Sequence, residues 1–317
     1  MPHDAYREVR ALVLGASGFI GRWVARSLTA AGADLHLAVR DAERAASLFR
    51  TFRVSGATHV VDLEVEARVR ELIRVVRPAV TFNLAGYGVD RLERDGETAL
   101  HVNARLVEVV AEALADVSNL EWRGCRLLHA GSALEYGACG GDLAEETPPR
   151  PTTLYGRTKL EGTRRLSAIS RQLGLRAATV RLFTVYGPGE HDGRLLPTLL
   201  QAVRGSGPVQ LSAGHQERDF SYVGDVADGL LRLGVSAAGP GEVINLARGE
   251  PTTVRRFAEI AAGVLAIDPD RLRFGALPVR EEEMQHEPVR VLRLHQLTGW
   301  SPPRDIAAGV AEARDFH

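Results

Sequence analysis

Tyr155 and Lys159, in the run Leu154-Tyr155-Gly-Arg-Thr-Lys159-Leu-Glu-Gly, are the residues of this chain whose types and spacing best suit the movement of a proton. Residues four apart share one helical face, so a phenol and an ammonium at this spacing converge on one ligand. A tyrosine with an ordinary pKa of about 10 serves an alkoxide or hydroxyl well only when a cation stabilises its phenolate. The spacing alone is common by chance, and the composition sharpens it. One lysine stands among 39 basic residues, so the other 38 are arginine. That lysine falls four residues after one of only six tyrosines, which random placement gives about 2% of the time at this same-face spacing. Lysine differs from arginine in being a compact donor whose charge yields to its surroundings.

A third candidate lies upstream, in Leu128-His-Ala-Gly131-Ser132-Ala-Leu-Glu135-Tyr136-Gly137. A serine at the carboxyl end of a sheet strand sits where ligands bind in open α/β folds, and its hydroxyl can donate to a reacting oxygen. The same serine also suits a turn cap.

The elements that must position these groups follow from periodicity. Ala11–Leu14, Leu35–Val39, His59–Asp62, Ala79–Asn83 and Arg126–Ala130 read as buried strands. Helical segments at 21–31, 41–52, 65–76 and 102–115 fill the gaps. Strands separated by helices of this length imply βαβ units, a parallel sheet and a doubly wound, Rossmann-type α/β fold. After about residue 184 turn residues cluster, which suits a smaller, mixed α/β part that closes over a ligand. Tyr222–Leu233 and Val243–Leu246 again look like helix and strand of the main sheet. The division is therefore interleaved: 1–183 with 221–248 for a dinucleotide, and 184–220 with 249–317 for a substrate.

Leu12-Val-Leu-Gly15-Ala-Ser-Gly18-Phe-Ile-Gly21 is a strand, a tight glycine turn and a helix start. Glycines let backbone N–H groups approach a pyrophosphate, and the helix N-terminus adds favourable partial charge. Behind the first strand of a βαβ unit this reads as dinucleotide binding. The second strand ends Ala38-Val39-Arg40-Asp41. A carboxylate there would accept from the ribose of NAD, whereas an arginine matches the extra phosphate of NADP. Arg40 favours NADP(H), and Asp41 keeps NAD(H) open.

The 39 basic and 40 acidic residues nearly cancel, so there is no general attraction for nucleic acid or anionic lipid. No apolar run approaches the roughly 18 residues of a membrane span. The N-terminal residues lack an apolar signal region. Cys125 and Cys139 fit no metal or redox spacing. These features read as a cytoplasmic protein with no metal and no membrane or nucleic-acid partner.

Together the motifs resemble the extended short-chain dehydrogenase/reductase family, of the NAD-dependent epimerase/dehydratase type, over nearly the whole chain. Gly15-x-x-Gly18-x-x-Gly21 matches its loop, Asn83-Leu-Ala-Gly86 and Asn103 its cofactor-side segments, and Ser132, Tyr155 and Lys159 its catalytic triad. Arg181-Leu-Phe-Thr-Val-Tyr-Gly-Pro188, Arg218-Asp-Phe-Ser-Tyr-Val-Gly-Asp225 and Leu297-Thr-Gly-Trp-Ser-Pro302 resemble its later signatures. The resemblance implies cofactor contacts at Gly15, Ser17, Gly18, Phe19, Ile20, Gly21, Arg40, Asp62, Leu63, Leu84, Ala85, Asn103, Tyr155 and Lys159. It implies a nucleotide-sugar substrate held by Ser132, Thr184, Arg194, Leu195, Arg218 and Arg280, and a homodimer formed through a helix pair. Thr184 departs from the pattern, standing where sugar-nucleotide members usually carry asparagine.

The resemblance also sorts the chemistries. Sugar dehydratases carry a carboxylate pair directly after the serine or threonine, and here those positions are Ala133 and Leu134. Glu135 comes one residue later and, in an extended segment, faces the other way. That disfavours dehydration. Arg40 and the Leu-Glu-Tyr-Gly run point to NADPH-dependent reduction of the C4 keto group of a nucleotide-linked 4-keto-6-deoxy sugar. The alternatives are an NAD-dependent nucleotide-sugar 4-epimerase and a reductase of a non-sugar carbonyl.

Overall fold

The structure, a computed structural model, describes residues 2–89, 93–117, 121–139, 141–278 and 288–316. Seven parallel strands form the central sheet: β1 (Arg10–Leu14), β2 (Asp34–Val39), β3 (Ala57–Val60), β4 (Val80–Asn83), β5 (Leu127–Ser132), β6 (Ala177–Leu182) and, from late in the chain, β11 (Glu242–Leu246). Their spatial order is β11-β6-β5-β4-β1-β2-β3. The order reverses between β1 and β4, which opens a crevice beyond the carboxyl ends of those strands, where open α/β sheets take their ligands. This is the doubly wound fold that the alternation of apolar runs implies.

The intervening helices are α1 (Phe19–Ala30), α2 (Ala42–Phe52), α3 (Glu66–Val76), α4 (Gly96–Leu100), α5 (Leu106–Ala115) and α6 (Leu154–Leu173). The later ones are α7 (Leu195–Ala202), α8 (Val223–Val235) and α9 (Val254–Val264). Apolar side chains cover both sheet faces. Leu12, Leu14, Ile73 and Val110 pack on one side, Val13, Val24, Phe82 and Leu230 on the other. Parallel strands buried on both faces explain why β5 and β6 read as unbroken buried runs.

Outside the sheet lie three small pairs: β7 (Thr184–Tyr186) with β10 (Phe220–Tyr222), β8 (Val209–Leu211) with β13 (Leu272–Phe274), and β9 (Glu217–Arg218) with β12 (Thr252–Thr253). None of these two- and three-residue strands stands out in the sequence.

Three local differences separate the sequence expectation from the fold. The strand expected at 59–62 ends at Val60, although the Val61 N–H still reaches the Val39 carbonyl at 2.9 Å. The helix expected over 102–115 is split, with a π-helical turn at His101–Arg105 between α4 and α5. The residues after Ser132 are not extended but form a 3-10 turn, Ala133–Glu135. The last two lie beside the crevice, where irregular helix commonly serves a site.

Candidate active site

Gly15 follows β1 directly and has φ +75°, a conformation that favours glycine. A Cβ there would lie 2.8 Å from the Ala85 nitrogen, and one on Gly21 would lie 2.1 Å from the Gly15 carbonyl oxygen. The turn is thus packed with no room for side chains, against the end of β4 on one side and α1 on the other. Gly18, the N-terminal flank of α1, offers no side-chain cap, which leaves the first amides of that helix for an anion. Ser17, Phe19 and Ile20 are part-exposed around this turn, and Leu84 donates its N–H to the Leu14 carbonyl across from it. This cradle fits a dinucleotide pyrophosphate on steric and electrostatic grounds.

Further along the same edge, Arg40 is exposed immediately past β2. Asp41 does something other than wait for a ribose: its carboxylate accepts from the Arg44 N–H at 3.0 Å and caps α2. Asp62 is exposed past β3 and accepts from the Glu64 N–H, with Leu63 half-buried beside it.

The proton-handling groups meet beyond β5. Thr153 caps α6 through the Gly156 N–H, so Tyr155 sits in the first turn with its side chain at the crevice. The Ser132 hydroxyl accepts from the Leu134 N–H at 3.2 Å and is near enough to the phenol to favour its ionised form. Ser132 therefore fills both of the roles open to it from sequence, cap and hydroxyl partner. One turn on, Lys159 is 2% exposed. Its ammonium donates to the Ala130 carbonyl at 3.1 Å and lies 5.8 Å from the Tyr155 ring centre.

Burial governs the charges here. It raises the Tyr155 pKa, with the negative charge of Glu135 adding to the rise, while the Arg194 charge and the Ser132 hydrogen bond act against it. Burial lowers the Lys159 pKa to about 8, and Glu135 opposes that fall.

Asn103, in the π-helical turn, joins the two sides of the crevice. Its amide accepts from the Tyr87 N–H at 3.0 Å and donates to the Tyr87 carbonyl and the Thr158 hydroxyl. The substrate-side candidates lie on the smaller part of the fold. Thr184 opens β7, with its N–H on the Asp219 carbonyl. Arg194 flanks the start of α7, with Leu195 as the first helical residue. Arg218 ends β9 opposite Thr252. Arg280 lies outside the described residues.

Two groups of the site escaped the sequence reading. Asp219 is fully buried and accepts from the Arg248, Gly249 and Glu250 N–H groups, which fixes the turn after β11 beside Arg218. Glu135 is also fully buried and folds back onto Ser132. A signal for it was present, since Ser132-x-x-Glu135 is the spacing of a capping box.

Among the described residues no group of histidine, cysteine and carboxylate side chains forms a metal site, and no helix is long and apolar enough to cross a membrane.

Comparison with known proteins places this geometry. The sequence profile of the NAD dependent epimerase/dehydratase family matches residues 11–247. The chain is 28% identical to the dTDP-6-deoxy-L-talose 4-dehydrogenase (NAD(P)(+)) of Kitasatospora kifunensis, covering 98% of this chain and 96% of that one. It is 26% identical to the UDP-glucose 4-epimerase of Mycolicibacterium smegmatis, over 97% and 98% of the two chains. Among solved structures, it resembles MoeE5 in complex with UDP-glucuronic acid and NAD, with a TM-score of 0.79 at 25% identity and coverage of 96% and 98%.

Proposed function

The chain belongs to the NAD dependent epimerase/dehydratase family, as an NAD(P)-dependent enzyme of the extended short-chain type, and we propose that it reduces the C4 keto group of a nucleotide-linked 4-keto-6-deoxy sugar with NADPH. The observation that carries this reading is the convergence of Ser132 and Tyr155 at the end of β5, above a buried lysine. In that position a substrate carbonyl oxygen takes hydrogen bonds from both hydroxyls. Tyr155 then gives up its phenolic proton to the forming alkoxide. Ser132 orients the oxygen, and Lys159 holds the cofactor ribose and offsets the charge left on the phenolate. The nicotinamide, when bound, supplies the hydride.

Glu135 supports reduction over dehydration. Its carboxylate is engaged by the Ser132 N–H, the Thr163 hydroxyl and the Arg181 guanidinium, so it is not free to help remove water. Arg40 supports NADPH, because it stands exposed past β2 while Asp41 is occupied by α2. The relative from Kitasatospora kifunensis, named for oxidation at C4 of a 6-deoxy sugar with either cofactor, catalyses the reverse of the proposed step. Arg194, Leu195, Thr184, Arg218 and Arg280 form the substrate side in this reading. The cofactor part is 1–183 with 221–248, the substrate part 184–220 with 249–317, and the protein works as a cytoplasmic homodimer.

The test is a panel of nucleotide-linked 4-keto sugars offered with NADPH and with NADH, followed by loss of reduced-nicotinamide absorbance. Turnover with NADPH preferred supports the proposal. No oxidation on any sugar, together with NAD copurifying in stoichiometric amount, overturns it. A second reading, nucleotide-sugar 4-epimerase, is favoured by the relative from Mycolicibacterium smegmatis, and that same outcome would select it.

A further inference from the structure

The Glu135–Arg181 ion pair is the most deeply buried one described, with side chains 0% and 4% exposed and 3.0 Å between them. Desolvation cancels much of the attraction in such a pair, so its presence is poor evidence of a stability role. Its placement says more. The carboxylate accepts from the Ser132 N–H at 2.9 Å through Oε1, and from the Thr163 hydroxyl at 3.0 Å through Oε2, the oxygen that also meets Arg181. Thr163 is the next residue on the α6 face that carries Tyr155 and Lys159, at the same four-residue step. The room for the carboxylate is made by Gly131, where a Cβ would lie 2.6 Å from Glu135 Oε1. One side chain thus touches the strand end that bears the serine and the helix face that bears the tyrosine and lysine.

We propose that Glu135 is a positioning residue of the active site: its buried carboxylate clamps the Ser132 end of β5 to the Tyr155–Lys159–Thr163 face of α6 and serves as counter-charge to the only lysine. The proposal rests on the assignment of Ser132, Tyr155 and Lys159 as the reacting groups, and deepens it. Arg181 closes the clamp from behind, its guanidinium 4.4 Å from the Tyr136 ring centre and directed to the Glu145 carbonyl.

The charges around the two titrating groups are few. Lys159 feels Glu135, and the neighbouring His129 imidazole is held well below its usual value by burial first and by the Lys159 charge second. Tyr155 feels Glu135 and Glu93 on the acidic side and Arg194 on the basic side. Removing the Glu135 charge therefore moves both pKa values down. Lys159 loses its proton nearer neutrality, and Tyr155 ionises more readily.

The single lysine makes this directly measurable. Protein labelled with carbon-13 at the lysine Cε has one labelled resonance, so the Lys159 titration needs no assignment. In Glu135→Gln the midpoint falls by about one pH unit, the scale expected for loss of a nearby opposite charge, and kcat falls about tenfold above the new midpoint. Glu135→Gln/Arg181→Gln leaves no orphaned guanidinium behind the clamp, and its midpoint falls in the same direction if the single variant does not fold. Thr163→Val keeps the carboxylate, so its midpoint stays at the wild-type value. A folded Glu135→Gln or double variant with an unmoved midpoint overturns the proposal, whether or not kcat falls. The resonance is read without substrate, so failure of the keto-sugar assignment leaves this result standing, and failure of the clamp leaves that assignment standing.

Discussion

The Lys159 ammonium lies over the Tyr155 ring, 5.8 Å from its centre, and donates to the main-chain carbonyl of Ala130 at 3.1 Å. The lysine thus meets the tyrosine over its ring. It is held by the strand that ends in Ser132, and its charge faces the crevice at the carboxyl end of the sheet. Burial lowers its pKa to about 8, and the Glu135 charge opposes that fall.

Tyr155→Phe removes the proton donor and keeps the ring. The expected result is a loss of about 10²- to 10⁴-fold in kcat, the usual worth of general acid catalysis, with cofactor affinity nearly unchanged. Steady-state kinetics and a cofactor titration on the same sample check it, and near-normal turnover would rule the mechanism out.

Lys159 gives two pH signatures. Its charge is present below about pH 8 and lost above it, so reductive activity should fall as pH rises through that value. For stability the direction is opposite. The folded pKa lies below the unfolded one of 10.5, so between about 8 and about 10.5 the unfolded chain binds the extra proton and this group's contribution rises with pH. The burial penalty is fully present below pH 8. Lys159→Met removes it along with the Ala130 hydrogen bond, and without cofactor should be no less stable than wild type at pH 7 while losing activity. A denaturant midpoint that falls in this variant contradicts the account.

Arg40 and Asp41 separate by measurement. Arg40→Ala should weaken NADP(H) by roughly tenfold or more, as for loss of a charge-assisted phosphate contact, and leave NAD(H) unchanged. Asp41→Ala should cost about 1 kcal/mol of stability, the value of an N-cap, without altering cofactor preference. Equal loss of both cofactors in Arg40→Ala would remove the basis for NADPH.

Gly131→Ala tests the packing under the serine. The added methyl meets Glu135 Oε1 and Thr179 Cγ2, each at 2.6 Å. Overpacking of this kind costs about 1–3 kcal/mol, and displacement of the carboxylate should lower kcat as well. Thermal denaturation and kcat together read it, and a variant equal to wild type in both would show that the strand end is looser than described.

Much of this was legible in the sequence. The strands at 11–14, 35–39 and 79–83 fall within a residue of those observed, because buried parallel strands are short apolar runs bounded by turns. The Tyr155–Lys159 face follows from helical spacing alone. What stayed hidden depends on contacts between distant positions. Arg181 meets Glu135 across 46 residues and Arg194 reaches Tyr155 from another part of the fold, and no local pattern encodes either. The π-helical turn at 101–105 is a slip of one hydrogen-bond register inside an otherwise helical pattern, invisible to apolar periodicity. The segment after Ser132 is a 3-10 turn and not extended, so strand alternation does not set where Glu135 points; the capping-box spacing Ser132-x-x-Glu135 does.

The entry of β11 into the central sheet has a kinetic consequence. Residues 177–182 of β6 are buried along their whole length only because 242–246 pair with them. A nascent chain that has emerged as far as residue 240 therefore presents β6 as an edge strand, paired with β5 on one side and open on the other, the kind of edge that recruits other chains. At translation rates of about 5–20 residues per second, the roughly sixty residues between the two strands leave that edge open for seconds. Truncation before Glu242 makes the exposure permanent, so shortened versions of this protein will aggregate while retaining every residue proposed to hold the cofactor.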